Sequence, residues 1–93
     1  MSEAAITRRI LAAIKSTPEA KAIKIHGSGY SEAGTPDIIG AYKGRMFLVE
    51  VKAEKGRATL LQLHRLEEWK DAGAVAVIAG PEFDTAAFME GLA

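Results

Sequence analysis

The chain has 93 residues, 48 % of them apolar, with twelve lysines and arginines balanced by twelve acids, which fits one domain, 1–93, with a modest core. It has no cysteine, which excludes disulfides and thiolate metal sites and leaves only oxygen or imidazole ligands for a metal. Zero net charge excludes a global attraction to nucleic acid, so such a role needs local basic clusters or a bound cation.

The first ten residues, MSEAAITRRI, lack the apolar stretch of a signal peptide. No run approaches the ~20 apolar residues of a membrane span. The expectation is a cytoplasmic protein with no membrane partner. Residues 3–15 read as a helix capped by Ser2, with Ile6, Ile10 and Ile14 forming an apolar stripe. Thr17-Pro18 ends it. Residues 21–26 alternate, Ile23 and Ile25 on one side and Lys24 and His26 on the other, which predicts a strand.

Residues 27–36, GSGYSEAGTP, hold three glycines and a proline and read as a loop. Two apolar runs follow, 37–42 and 45–53, joined by Lys43-Gly44, the signature of a tight hairpin. A polar loop, 54–58, leads to a helix from Thr59 to about Ala72, ended by Gly73. Residues 74–79, AVAVIA, read as a short buried strand. Gly80-Pro81 breaks it, and Asp84 or Thr85 caps a last helix with Ala87, Phe88 and Leu92 facing in. The order α-β-β-β-α-β-α predicts an α/β fold: three antiparallel strands, then a helical crossover to a fourth strand parallel to the third. The result is a mixed four-stranded sheet flanked by helices.

The hairpin makes a sharper prediction. A two-residue loop sets Tyr42 opposite Arg45 and, by the same register, Asp37 opposite Glu50. Opposed residues share a sheet face with Cβ atoms about 5 Å apart, and Lys52 falls beside Glu50 on that face. Two opposed acids among Ile, Phe, Leu and Val repel. Either one carboxyl keeps a proton or a cation sits between them, and an oxygen-only ligand set suits Mg²⁺ or Mn²⁺. The alternative is an ordinary surface ion network.

Glu3 extends the isoleucine stripe toward the core side, or simply complements the helix dipole. Gln62 shares a face with Leu66 and Trp69, or closes a capping box with Thr59. His26 and His64 lack the spaced companions of a histidine metal site and read as surface or DNA-facing residues. Lys24, Lys43, Arg45, Lys55 and Arg57 around the hairpin form either a phosphate-binding rim or solvated charge. Tyr30 and Ser31 are candidates to help hold a phosphate. GSGYSEAG is not a P-loop, since it lacks GK[ST] and opens no helix.

The residues GTPDIIG, then FLVEVKAEKGRATLLQ, resemble the PD-(D/E)XK nuclease superfamily, and within it the stand-alone virus-type replication-repair nuclease (VRR-NUC) domains of phages and bacteria. The resemblance spans roughly residues 3–80. It implies a restriction-endonuclease-like αβββαβ core and Mg²⁺- or Mn²⁺-dependent cleavage of phosphodiester bonds. Asp37, Glu50 and the Val51 backbone carbonyl would be the metal ligands. Lys52 would orient or deprotonate the attacking water, with Gln62 and Glu3 at accessory site positions. It further implies a homodimer acting on branched DNA such as four-way junctions. Other targets (flaps, nicks, plain duplex) stay open, as does a non-catalytic DNA-binding module.

Overall fold

The computed structural model describes residues 1–26 and 32–93. In chain order it contains α1 (Glu3–Lys15), β1 (Ala20–Lys24), β2 (Ile38–Tyr42), β3 (Arg45–Val51), α2 (Leu60–Asp71), β4 (Val75–Ala79) and α3 (Thr85–Leu92). The strands form one sheet in the order β1-β2-β3-β4, antiparallel up to β3 and parallel between β3 and β4. This is the expected mixed sheet with helices on its faces.

Each element follows from local chemistry. The Ser2 hydroxyl accepts the Ala5 N–H and starts α1. The fully buried stripe Ile6, Ile10 and Ile14 packs on Ala22, Ile38, Phe47, Val49 and Val51, with Met89 and Leu92 of α3 closing the same core. Each large aliphatic so buried stabilises by about 1.5–3 kcal/mol. On the other face α2 lays Leu66 over Leu48 and Ala76, a smaller core flanked by Ile39 and Trp69.

The β2–β3 turn has positive φ at both central residues, Lys43 (49°) and Gly44 (80°), the backbone of a type I′ hairpin. Gly40 is required one strand away, because a Cβ there would overlap the Phe47 ring and the Lys21 carbonyl. Thr59 and Gln62 exchange hydrogen bonds in a complete capping box at the start of α2. At its end the Gly73 N–H reaches the Lys70 carbonyl and the Ala74 N–H the Trp69 carbonyl, closing the helix in a Schellman motif.

Three details differ from the sequence expectation. β1 covers 20–24 rather than 21–26, and its buried residue is Ala22, while Ile23 is 53 % exposed. α1 packs closely over β1, where a small side chain fits; Ile23 projects to the opposite face, beyond the reach of α2. β2 and β3 pair over 38–42 and 45–49 and leave Asp37 outside the ladder, because its side chain takes the place of backbone pairing. In α3, Met89 rather than Ala87 turns inward with Leu92.

Candidate active site

The observed register pairs Ile38 with Val49 and Tyr42 with Arg45. Continued one step, it places Asp37 across from Glu50, as the hairpin reading predicts. A further step sets Pro36 across from Val51. Proline has no N–H to donate, so regular pairing must fail there. Asp37 takes over: its Oδ2 accepts the Val51 N–H at 2.7 Å. In an extended strand the N–H and C=O of one residue leave toward the same edge. The Val51 carbonyl therefore also faces the Asp37 side, with no Pro36 N–H to meet it.

Glu50 is 2 % exposed, yet carries an ionisable group. Burial and contact with the Asp37 carboxyl push its pKa up to about 8, the Lys52 charge pulls it back in part, and Glu3 adds a weaker upward push. The Asp37 carboxyl thus makes a bare charge on Glu50 costly, and a proton on Glu50 or a cation between the two acids relieves the conflict. Lys52 Nζ lies 3.8 Å from Glu50 Oε2, with only 14 % of its side chain exposed. A buried acid against a half-buried one, beside a half-buried lysine, is a perturbed cluster of the kind found at functional sites.

The donor set fits a hard divalent cation. Among the described residues no three His, Asp or Glu side chains group as metal ligands. A cation here would rest on the Asp37 and Glu50 carboxylates, the Val51 carbonyl and waters. Mg²⁺ commonly binds in this way, through one or two carboxylates with several waters retained.

The structure separates the other candidates. Glu3, at the exposed start of α1, is close enough for its charge to act on Glu50. The Gln62 side-chain oxygen accepts the Thr59 N–H at 2.9 Å, so the amide serves the helix cap. Lys24, paired with Ile38, and His26 beyond it lie at the Asp37 end of the sheet, as do Lys55 and Arg57 in the connection leaving β3. Lys43 and Arg45 lie at the hairpin end, with Lys43 Nζ over the Tyr42 ring at 5.3 Å. Six strand steps separate Arg45 from Val51, roughly 20 Å. The basic rim expected from sequence is therefore split between the two ends of the sheet. His64 sits on exposed α2, 3.7 Å from Glu68. Tyr30 and Ser31 lie outside the described residues.

Two residues that were given no structural role from sequence shape this end. Pro36 disables regular pairing opposite Val51. Arg65 of α2 donates from Nε to the Ala33 carbonyl (3.1 Å), lies 2.7 Å from Glu32 Oε1, and is braced by Glu68 at 2.8 Å. It ties down the segment that enters Pro36-Asp37. The Arg65–Glu68 spacing is visible in sequence as an i, i+3 pair, but its long-range partners are not.

No family model and no curated protein matches the chain. Solved structures do. A structure described as a VRR_NUC domain superposes with a TM-score of 0.76 at 20 % identity, covering 97 % of each chain. A second, described as a VRR_NUC domain protein, gives 0.68 at 17 % identity over 98 % of this chain and 84 % of its own. The third, Hjc, a Holliday junction resolvase from Archaeoglobus fulgidus, gives 0.62 at 23 % identity over 86 % of this chain and 70 % of its own. The chain has the VRR_NUC fold expected from its sequence.

Proposed function

We propose that this chain is a Mg²⁺- or Mn²⁺-dependent endodeoxyribonuclease that hydrolyses phosphodiester bonds in branched DNA such as four-way junctions, and that it works as a homodimer. The observation that carries the reading is the buried Glu50 carboxyl set against the half-buried Asp37, a pair that favours a proton or a cation, with Lys52 beside it. The likeness of fold to a protein described as a Holliday junction resolvase supports the choice of branched DNA.

Asp37 and Glu50 would hold the cation, with the Val51 carbonyl completing the protein ligands, and the ion would take the place of the proton that Glu50 otherwise keeps. When bound, the ion lowers the pKa of a water and polarises a phosphoryl oxygen. Lys52, held on the same sheet face, orients the attacking water and stabilises charge that develops on the phosphate; in its neutral form it can take the water's proton. Asp37 keeps its orientation through the Val51 N–H. Glu3 and Gln62 are accessory, Glu3 by its charge and Gln62 by setting the start of α2. Lys24, His26, Lys55 and Arg57 contact the flanking phosphates, which carry affinity without sequence information. Lys43 and Arg45 are too distant to share that task unless the DNA runs the length of the sheet.

The test is cleavage of labelled four-way junction, flap, nicked duplex, single strand and linear duplex with Mg²⁺ or Mn²⁺, beside Asp37→Ala. Metal-dependent cutting, strongest on the junction and lost in the variant, is the expected result. Preference for another arm changes the substrate and keeps the chemistry. Binding of DNA with no cutting of any arm overturns the hydrolytic reading and leaves a DNA-binding module.

A further inference from the structure

The two outer strands of the sheet are built differently. β1, AKAIK, places Lys21 and Lys24 along its edge, both exposed. Charged side chains of this kind discourage pairing with another strand. β4, VAVIA, is the opposite edge and carries no charge and no proline. A short, uncharged, apolar edge is a template for strand addition.

Its backbone is arranged symmetrically. β4 pairs in parallel with β3, Val49 beside Val77, and the Lys52 N–H reaches the Ala79 carbonyl at 2.9 Å. Val75, Val77 and Ala79 therefore turn their N–H and C=O groups toward β3, and Ala76 and Ile78 turn theirs outward. The outward groups flank Val77 evenly. We infer that β4 is the surface through which two copies of this chain join, edge to edge and antiparallel about a two-fold axis at Val77. The inference deepens the dimer proposed above by naming its surface.

In that pairing Ala76 of each copy exchanges hydrogen bonds with Ile78 of the other, and the two sheets become one of eight strands. The flanks suit a second copy better than a lone peptide strand. α2 packs on both β3 and β4 through Leu66, Leu48 and Ala76. A helix seated over the last two strands of each sheet comes about 10 Å from its two-fold mate, since strands lie about 4.8 Å apart. That is the spacing at which helices pack. The side of α2 facing this gap carries Leu63 (41 % exposed), Glu67 and Lys70 above Ile78 (45 % exposed). One acid and one base three residues apart, paired at 3.1 Å within the chain, bring unlike charges together across an antiparallel copy. Across the sheet, Val75, Val77 and Phe88 line a second apolar groove beside the same edge.

The test needs neither metal nor DNA. Sedimentation velocity should give a dimer for the unaltered chain. Ile78→Pro, which removes an outward N–H at an edge position where proline is tolerated, and Ile78→Lys should each weaken the dimer at least about 30-fold with an unchanged circular dichroism spectrum. Ile23→Lys, on the exposed patch above β1, should leave the dimer intact. A non-hydrogen-bonded antiparallel pair sets Cα atoms about 4.5 Å apart, within disulfide reach. In this cysteine-free chain, Val77→Cys should therefore cross-link into a covalent dimer on mild oxidation. A monomer at tens of micromolar, a dimer that survives both Ile78 variants, or one dispersed by Ile23→Lys overturns the inference. A cross-linked dimer that cuts no DNA overturns the nuclease reading alone, because Asp37→Ala should dimerise normally.

Discussion

The two ends of the central hairpin obey opposite rules. At Tyr42–Arg45 the chain turns in two residues, both with the positive φ such a turn requires, and pairing runs to the last residue. At Pro36–Asp37 and Glu50–Val51 pairing stops, a side chain replaces a backbone acceptor, and two acids face each other where the core is most apolar. The first end satisfies every local preference and makes the hairpin. The second violates several at once, and local violations that a fold tolerates concentrate at functional positions. The proposed site is accordingly the end at which the sheet is worse than it could be.

The largest effect is expected from removing the conflict between the two acids. Glu50→Gln and Asp37→Asn keep shape and lose a charge each. Cleavage should fall by about 1,000-fold or more, near 4 kcal/mol of barrier, in initial-rate assays on a four-way junction. Loss of the same size from Lys43→Ala with Arg45→Ala at the other end would remove the distinction between the ends.

The next effect is on stability and has a definite sign. Glu50 keeps a proton in the folded chain up to about pH 8, whereas the unfolded chain releases it near the ordinary glutamate value of about 4.5. Across that window the folded state binds more protons, so metal-free stability falls as pH rises, by at most about 1.4 kcal/mol per unit. Calorimetry in chelator should show a lower Tm at pH 8 than at pH 5. Glu50→Gln should flatten that slope. Excess Mn²⁺ should restore stability to the unaltered chain at pH 8, where the cation replaces the proton. A Tm that climbs from pH 5 to 8 without metal contradicts the buried-acid account.

Much of this was readable before the structure. The hairpin register follows from Lys43-Gly44 alone, and it carries Asp37, Glu50 and Lys52 to one face. The isoleucine stripe, the capping box and the parallel last strand are equally plain, because each is a local pattern. What escaped is what depends on distant partners. Ala22 rather than Ile23 is buried because of how α1 packs on β1. Pro36 matters because of Val51, fifteen residues later. Arg65 matters because of Glu32 and Ala33. The basic residues read as one rim because they neighbour the hairpin in sequence, yet the strand length of β3 divides them.

That division gives a smaller, graded contrast. Lys55→Ala with Arg57→Ala should weaken DNA binding and reduce the salt dependence by about one unit per lost phosphate contact. Lys43→Ala with Arg45→Ala should do little at either readout. Fluorescence anisotropy at several salt concentrations measures both. Equal losses at the two ends would mean that the DNA spans the whole sheet.

Gln62 gives the smallest effect and decides whether α2 belongs to the site or only to the fold. Its side-chain oxygen accepts the Thr59 N–H, and its own N–H meets the Thr59 hydroxyl. Gln62→Ala removes half the box and should cost about 1 kcal/mol of stability, with turnover falling less than about tenfold as the helix start frays. Gln62→Glu keeps an acceptor at that position, since either residue serves a capping box. It should recover the stability, measured as the denaturation midpoint, and the turnover with it, because a cap acts through the helix it starts. A Gln62→Glu variant as stable as the parent but unable to cut would move the amide from the cap into the chemistry.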